Sequence, residues 1–238
     1  MQNNILLSED QLADAPVFFS LEEALENPDE CYILELSSGA ESEQILAQSL
    51  PKLPRVQQFT FQNNDQVTHF PKELALLKNL QALEIRDCSL ETLPVELGDL
   101  EHVTDFIVTG CKEFAPFPDF VCNWKELIYL EITDSPIEEI PAAIGNLQNL
   151  EDLNINQNRL VTLPDEISQL QSLRILRTYG NYAMTLPSSL KELQDLETFD
   201  HGLIRVLGTT IMDFRKLMPN TKFTQVTTYD DVKEDDDF

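Results

Sequence analysis

An apolar residue followed by proline recurs along the sequence at a nearly constant interval, and this periodicity limits the folds open to the chain. The six pairs are Phe70-Pro71, Leu93-Pro94, Phe117-Pro118, Ile140-Pro141, Leu163-Pro164 and Leu186-Pro187, so successive prolines are 23, 24, 23, 23 and 23 residues apart. A fixed period of roughly 20 to 50 residues is typical of repeat architectures, in which one short unit stacks on the next. The sequence therefore predicts a solenoid.

Each interval contains two apolar positions separated by one residue, which predicts a short β-strand with one buried face. The eight pairs are Leu34/Leu36, Phe59/Phe61, Leu83/Ile85, Phe106/Val108, Leu130/Ile132, Leu153/Ile155, Leu176/Thr178 and Phe199/His201; the second position departs from the apolar pattern in the last two. One repeat cannot bury its own apolar face, so stacked copies must share a continuous core. We therefore expect about eight parallel rungs.

The aligned intervals give the pattern LPxxIxxLxxLxxLxLxxNxLxx, which is clearest from Pro141 to Leu163. This pattern resembles the leucine-rich repeat family, in the 23-residue intracellular class found among Ras-group and bacterial repeat proteins. The resemblance covers about Cys31 to Leu203. It implies an α/β solenoid, a curved right-handed superhelix with a parallel sheet on its concave face and helical caps, and it says almost nothing about function.

The resemblance also implies that one residue after each strand satisfies backbone groups at the turn. This ladder position holds Asn64, Cys88, Cys111, Ser135, Asn158 and Asn181. Cysteine is a known substitute at this position in the family, so we expect Cys88 and Cys111 to be buried. Because the four cysteines lack CxxC spacing, neither a disulfide framework nor a zinc site is expected.

An open stack exposes apolar surface at both ends, so terminal caps are expected. We assign residues 1–30 to an N-terminal cap, 31–204 to the solenoid, 205–229 to a C-terminal cap and 230–238 to a disordered acidic tail. Ser20 and Glu23 have the spacing of a capping box at the start of a helix. The segment TTIMDFRKLMPNTKFTQV predicts a helix, a Pro-Asn turn and a strand.

The charge balance is strongly acidic, with 42 acidic and 16 basic residues and a net charge of -26. Such a surface repels nucleic acid and anionic membranes and attracts basic partners, although acidic surfaces also serve solubility alone. No apolar stretch approaches the roughly 18 to 20 residues of a membrane span, and the N-terminus lacks a basic region followed by an apolar one. We therefore expect a cytoplasmic monomer without nucleic-acid or membrane partners.

Sequence motifs of enzymes are absent, including phosphate-binding, dinucleotide-binding, serine-hydrolase, zinc-protease and EF-hand patterns. The three histidines lie in three different repeats, and the only adjacent acid-base pair is Asp200-His201. His201 is interpreted either as a catalytic base or as a buried histidine at the C-terminal end of the stack, and we favour the second. We expect no catalytic residue, no metal and no cofactor.

Side chains beside the strand leucines are expected to line the concave face, which is the usual binding surface of a solenoid. Apolar or aromatic residues stand there where solvent is expected, and aromatic anchors among polar groups are typical of contact sites. The predicted protein-binding residues are Ile107, Tyr129, Glu131, Asn154, Ile175, Arg177 and Tyr179. The alternative is that the apolar residues are incidental and that the arginine only pairs with acids on neighbouring rungs.

These observations predict a non-catalytic protein-binding module for scaffolding or signalling, with a protein partner that carries a basic patch. One alternative is an exported repeat-type effector that acts on a host protein. A second is a hydrolase on the repeat scaffold, whose activity would depend on His201.

Overall fold

The computed structural model describes residues 6–37, 41–181, 184–202 and 211–225, without the side chains of 211–213 and 225. Within these residues, ten strands form one sheet in which each strand pairs in parallel with the next along the chain. The strands are β1 (Val17–Phe18), β2 (Ile33–Ser37), β3 (Gln58–Gln62), β4 (Ala82–Arg86), β5 (Asp105–Thr109), β6 (Tyr129–Thr133), β7 (Asp152–Asn154), β8 (Ile175–Arg177), β9 (Thr198–His201) and β10 (Lys222–Gln225). The predicted α/β solenoid is confirmed.

The eight predicted rungs are β2 to β9, and the terminal segments add one strand at each end. β10 follows the predicted Pro-Asn turn and pairs with β9, which extends the sheet over the last rung. β1 was not predicted, because two residues are too few for an alternating pattern, yet it pairs with β2. The sheet therefore extends by one strand beyond the predicted rungs at each end. The acidic tail expected at 230–238 lies outside the described residues, and the cap boundaries stay predictions.

In the described residues, four short α-helices belong to the terminal parts and the first repeat. They are α1 (Glu9–Ala13), α2 (Leu21–Glu26), α3 (Glu43–Ser49) and α4 (Ile211–Leu217). α2 begins after Ser20, whose hydroxyl accepts a hydrogen bond from the Glu23 amide at 3.2 Å; this is one of the two hydrogen bonds of the predicted capping box. No helix in the described part of the chain is long and apolar enough to cross a lipid bilayer.

Each repeat proline is followed directly by a 3-10 helix, because its fixed φ and missing N–H suit the position before a helical turn. These helices are Lys72–Leu76, Val95–Asp99, Asp119–Asn123, Ala142–Asn146, Asp165–Gln169 and Ser188–Glu192. Strands stack at about 4.8 Å per rung, which is closer than helical turns can approach. The sheet therefore lies on the concave side and the 3-10 helices on the convex side, with the leucines packed between them.

One residue at the turn after each strand from β3 to β8 adopts a left-handed conformation, with φ between 49° and 79°; it follows β3 to β6 directly, and two residues separate it from β7 and β8. These residues are Asn63, Asp87, Gly110, Asp134, Gln157 and Gly180. Glycine, asparagine and aspartate tolerate positive φ, whereas glutamine does not do so readily. The chain therefore turns in the same way at each rung, and Gln157 is the exception in residue type.

The next residue on each rung forms the ladder that the sequence predicts. Asn158 Nδ2 donates to the carbonyl oxygens of Ile132 at 2.7 Å and Ile155 at 3.0 Å, and so connects two rungs. Cys88 is buried and its Sγ donates to the Arg86 carbonyl at 3.1 Å. The predicted burial of both ladder cysteines is confirmed.

Candidate protein-binding surface

The sheet register places the seven predicted binding residues on one face of β5 to β8. Ile107, Glu131, Asn154 and Arg177 are consecutive partners across these four strands. Tyr129 and Ile175 lie two residues before Glu131 and Arg177 on the same strands, and each is the register partner of Asp152 on β7. Tyr179 follows β8, and its carbonyl accepts from the Gln157 amide at 2.6 Å. All seven residues are half-buried, so the structure brings them together on a surface that solvent reaches.

Arg177 is engaged by acids from both adjacent strands. Its Nη1 donates to Oδ1 and Oδ2 of Asp152 at 2.7 and 2.8 Å, and its Nε lies 3.8 Å from Oδ2 of Asp200. Burial acts to lower the pKa of Arg177, but the Asp152 carboxylate outweighs it and raises that pKa. Burial raises the pKa of Asp152 above its ordinary value, against the effect of Arg177. Arg177 therefore has the structural pairing role that the sequence analysis left open.

Glu131 is likewise held by neighbours on the sheet. Tyr129 donates its hydroxyl to Glu131 Oε2, and Thr133 Oγ1 lies 3.0 Å from Glu131 Oε1 and 2.7 Å from Thr109 Oγ1. Burial raises the pKa of Tyr129, and the Glu131 charge adds to this. Tyr129 therefore stays a neutral donor, and its ring is the part available to a partner.

Tyr179 is positioned by its backbone and by an adjacent glycine. Its amide donates to Oδ1 of the buried Asn156 at 2.6 Å. A Cβ added to Gly202 would lie 3.0 Å from Cδ2 of the Tyr179 ring, so the ring covers the backbone of the next rung. A side chain at this position would require the Tyr179 ring and the Gly180 backbone to shift.

The first described residues of the chain cross the edge of the sheet where the strands begin, which the sequence analysis did not predict. We call this edge the leading edge; it consists of Gln57, Gln81, Thr104, Ile128, Glu151, Arg174 and Glu197, each directly before a strand. Leu7 donates its amide to Gln57 Oε1 at 2.9 Å and accepts from Gln81 Nε2 at 3.1 Å. These contacts hold α1 beside β3 to β5, with Leu12 buried.

A sequence signal for α1 was present, because Ser8 and Gln11 form a capping box. A helix of five residues has no complete amphipathic pattern, so only this cap marks it in the sequence. Its docking onto the leading edge depends on the pairing of Gln57 with Gln81, which are 24 residues apart.

A groove of about 640 Å³ lies between α1 and the outward face of β3 to β5. We call it the leading-edge groove; its lining includes Glu9, Leu12, Gln58, Thr60, Ala82, Glu84, Thr104, Asp105, Ile107 and Ile128. Ile107 is the one predicted binding residue in this lining. Burial raises the pKa of Asp105, with Thr104 opposing it and the charges of Glu9 and Glu84 adding to it.

His69 and His102 lie beside exposed carboxylates, whereas His201 and the cysteines are buried. His201 is buried, its Nδ1 lies 3.1 Å from the Gly202 carbonyl oxygen, and its Nε2 has no hydrogen-bond partner among the described residues. Burial raises the pKa of the Cys31 and Cys122 thiols to about 12, so neither is a thiolate near neutral pH. No three potential metal ligands are grouped together in the described part of the chain.

Comparison with known protein families matches residues 118–219 to a leucine-rich repeat region. No curated protein sequence matches the chain.

Solved structures match over most of the chain. The leucine-rich repeat domain of the type III effector XopL is 20% identical, with 94% of this chain and 85% of that chain covered and a TM-score of 0.66. The ectodomain of the Arabidopsis thaliana receptor kinase GASSHO1/SCHENGEN3, in complex with CASPARIAN STRIP INTEGRITY FACTOR 2, is 24% identical, with 81% and 23% covered and a TM-score of 0.61. The Arabidopsis receptor kinase HAESA, in complex with the peptide hormone IDA and the co-receptor SERK1, is 18% identical, with 82% and 33% covered and a TM-score of 0.66. At these identities the similarity concerns the fold alone.

Proposed function

We propose that the chain, in which residues 118–219 match a leucine-rich repeat region and whose fold matches that of a leucine-rich repeat domain, is a non-catalytic module that binds another protein through the concave face of its sheet. The acidic surface would favour a partner with a basic patch, and the partner would be held by the apolar side chains of that face. A protein that binds a partner without catalysing a reaction would act in scaffolding or signalling.

The observation that carries this proposal is the composition of the outward face. Ile107, Tyr129, Ile175 and Tyr179 are half-buried there among carboxylates. The arginines on this face, Arg86 on β4 and Arg177 on β8, are already occupied, since Arg177 pairs with Asp152 and Asp200 and Arg86 donates to Glu84. Apolar side chains surrounded by polar groups that are held in place are typical of protein contact sites.

Two structural neighbours support the coarse part of the proposal. The HAESA structure holds a peptide hormone and a co-receptor, and the GASSHO1 structure holds its peptide factor. The present chain spans 33% and 23% of those two chains. These neighbours support a protein-binding role for the fold. The chemistry proposed for the partner of the present chain rests only on the charge and the apolar side chains of the concave face.

Affinity capture with three matched baits tests the function. The first bait is the wild-type chain, and the second carries Ile175→Ser and Tyr179→Ala on the concave face. The third carries Val95→Ser and Leu76→Ser, which lie on 3-10 helices of the convex side and are 74% and 51% exposed. Each bait is checked for an equal melting temperature before it is exposed to source lysate at near-physiological salt.

The expected result is a protein that the wild-type and convex-face baits retain and the concave-face bait loses. If the acidic field steers the partner toward the chain, association should become slower as the salt concentration rises, because surface charges are screened beyond about 8 Å at physiological ionic strength. Equal recovery by all three baits, lost in moderate salt, would mean diffuse electrostatic binding and would overturn the proposal.

The compartment and the alternative roles stay predictions. We propose the cytosol, where the four free thiols would remain reduced. The effector alternative predicts the chain in culture medium. The hydrolase alternative predicts turnover that His201→Ala abolishes.

A further inference from the structure

The leading-edge groove combines negative charge with apolar surface. Its lining contains the carboxylates of Glu9, Glu84 and Asp105 and no lysine, arginine or histidine. Glu84 accepts from Arg86 and Thr60 on adjacent positions of the sheet. Asp105 accepts from the Thr104 hydroxyl at 2.7 Å. The groove therefore brings together three acids from α1, β4 and β5; Glu84 is paired with Arg86, and the lining supplies no cation to balance Glu9 and Asp105.

The apolar part of the groove is continuous with this acidic part. Ile107 and Ala82 are half-buried on adjacent strands, and Ile128, on the leading edge before β6, is 42% exposed. Leu12 contributes from α1 on the opposite side. An apolar side chain placed here would cover Ile107 and Ile128, which solvent otherwise reaches.

The groove also has a fixed shape. Gln57 is fully buried and Gln81 half-buried, and together they hold the Leu7 backbone by the two hydrogen bonds of the leading edge. α1 begins directly after this anchor, with both hydrogen bonds of the Ser8 capping box formed. A preformed wall reduces the entropy that a bound segment must lose on binding.

We propose that the leading-edge groove binds a short extended segment of a partner protein, in which an arginine or lysine is next to an apolar residue. The cation is held by Glu9 and Asp105, beside the Glu84 carboxylate that Arg86 already pairs with, and the apolar side chain packs on Ile107 and Ile128. This inference rests on the proposed function, because it names the partner's chemistry and where it docks. Charge complementarity selects this occupant, since an acidic or uncharged segment would leave Glu9 and Asp105 without a cation.

A labelled peptide tests the groove directly. The probe is fluorescein-Gly-Ser-Leu-Arg-Leu-Ser-Gly, and its binding to the chain is measured by fluorescence anisotropy. One control peptide replaces arginine with citrulline, which keeps the shape and removes the charge, and a second replaces both leucines with serine. We expect saturable binding of the first peptide to the wild-type chain and at least tenfold weaker binding of both controls.

Variants then locate the site on the chain. Asp105→Asn and Ile107→Ser are each expected to weaken binding of the arginine peptide at least tenfold, while Glu138→Gln, an exposed acid outside the groove, leaves it unchanged. Asp105→Asn should not lower the melting temperature, because it removes a partly buried charge near Glu9 and Glu84. A lost signal in this variant therefore reports binding rather than unfolding.

Two results would overturn the inference. One is the absence of saturable binding by the arginine peptide, and the other is equal binding to the wild type and Asp105→Asn. Capture of the lysate partner by the variants distinguishes failure of the groove proposal from failure of the proposed function. If Asp105→Asn still captures the partner and Ile175→Ser/Tyr179→Ala does not, the partner docks on β6 to β8 and only the groove proposal fails.

Discussion

Arg177 on β8 and Asp152 on β7 form a two-oxygen ion pair in which one guanidinium nitrogen lies 2.7 and 2.8 Å from the two carboxylate oxygens. Their side chains are only 22% and 16% exposed, so solvent screens the pair weakly. Asp200 on β9 approaches the same guanidinium. The arginine thus joins three rungs of the concave face, and its removal would leave two partly buried acids without it.

Arg177→Met is expected to lower the free energy of unfolding by about 2 kcal/mol, because it leaves a desolvated carboxylate without its cation. Urea denaturation measures this loss. The matched control is Arg174→Met on the leading edge, whose pairs with Glu151 and Glu197 are more than half exposed and should change stability by less than about 0.5 kcal/mol. Equal losses in the two variants would contradict the structural role of Arg177.

Gly180→Ala is expected to destabilise the chain by at least about 1 kcal/mol. Gly180 has a φ of 79°, and an added Cβ would lie 2.9 Å from Cα of Gln157, so both the backbone conformation and the space oppose a side chain. Conversely, Gln157→Gly should stabilise by about 0.5 kcal/mol, because it relieves a positive φ of 53°. Thermal unfolding of both variants checks the pair, and two shifts of the same sign would refute the turn geometry.

Acidification should destabilise the C-terminal end through His201. Burial lowers the pKa of His201 below its ordinary value, with Arg215 adding to this and the Gly202 carbonyl and Asp200 opposing it. The unfolded chain therefore takes up the proton at a higher pH than the native chain, so the free energy of unfolding falls as pH decreases through about 6.5. Denaturation from pH 7.5 to 5 measures this slope.

Two matched variants test whether His201 causes this pH dependence of the free energy of unfolding. His201→Leu fills a position that is apolar in most rungs and should reduce the loss of stability on acidification, whereas His102→Gln, on a partly exposed residue near Glu126, should keep it. An unchanged slope in His201→Leu would show that other groups govern the acid sensitivity.

Two neighbouring rungs test the assignment of inward and outward faces. Leu153 is fully buried, so Leu153→Asp places an unpaired charge in the core and should abolish cooperative unfolding of the middle rungs. Glu131→Ala removes the acceptor of Tyr129 and Thr133 and should cost about 1 kcal/mol, while Glu131→Gln, which keeps one acceptor oxygen, should cost less. Circular dichroism during thermal unfolding compares them, and equal damage from the first two would mean that the register is wrong.

The repeat predicted most of the sheet because every rung has the same local requirements. Leu83, Leu130 and Leu153 occupy one position of the 23-residue period, and the structure pairs their strands in the predicted register. Asn158 and Cys88 were placed on the ladder by the resemblance to leucine-rich repeats together with their position in the period. By contrast, β1 and α1 lie outside the period, so no repeated pattern marked them.

The alternation of the strands placed the predicted binding residues on one face of the sheet, but the pairing among them was not determined by the sequence. Arg177 was equally compatible with a partner's acid and with acids on adjacent rungs, and the structure pairs it with Asp152 and Asp200. Glu131 was predicted to bind a partner, and the structure shows that Tyr129 and Thr133 hydrogen-bond to it. Whether these residues contact a partner stays a prediction.

The sequence by itself determined the solenoid, the register of its eight central strands and the face on which each side chain lies, because a strict period imposes the same backbone path on every repeat. Only the tertiary structure decided where the N-terminal segment lies and which charges pair. Leu7 meets Gln81 across 74 residues, and Arg177 meets Asp152 across 25. Such contacts depend on the distances and burial of individual side chains, which the repeat pattern does not encode.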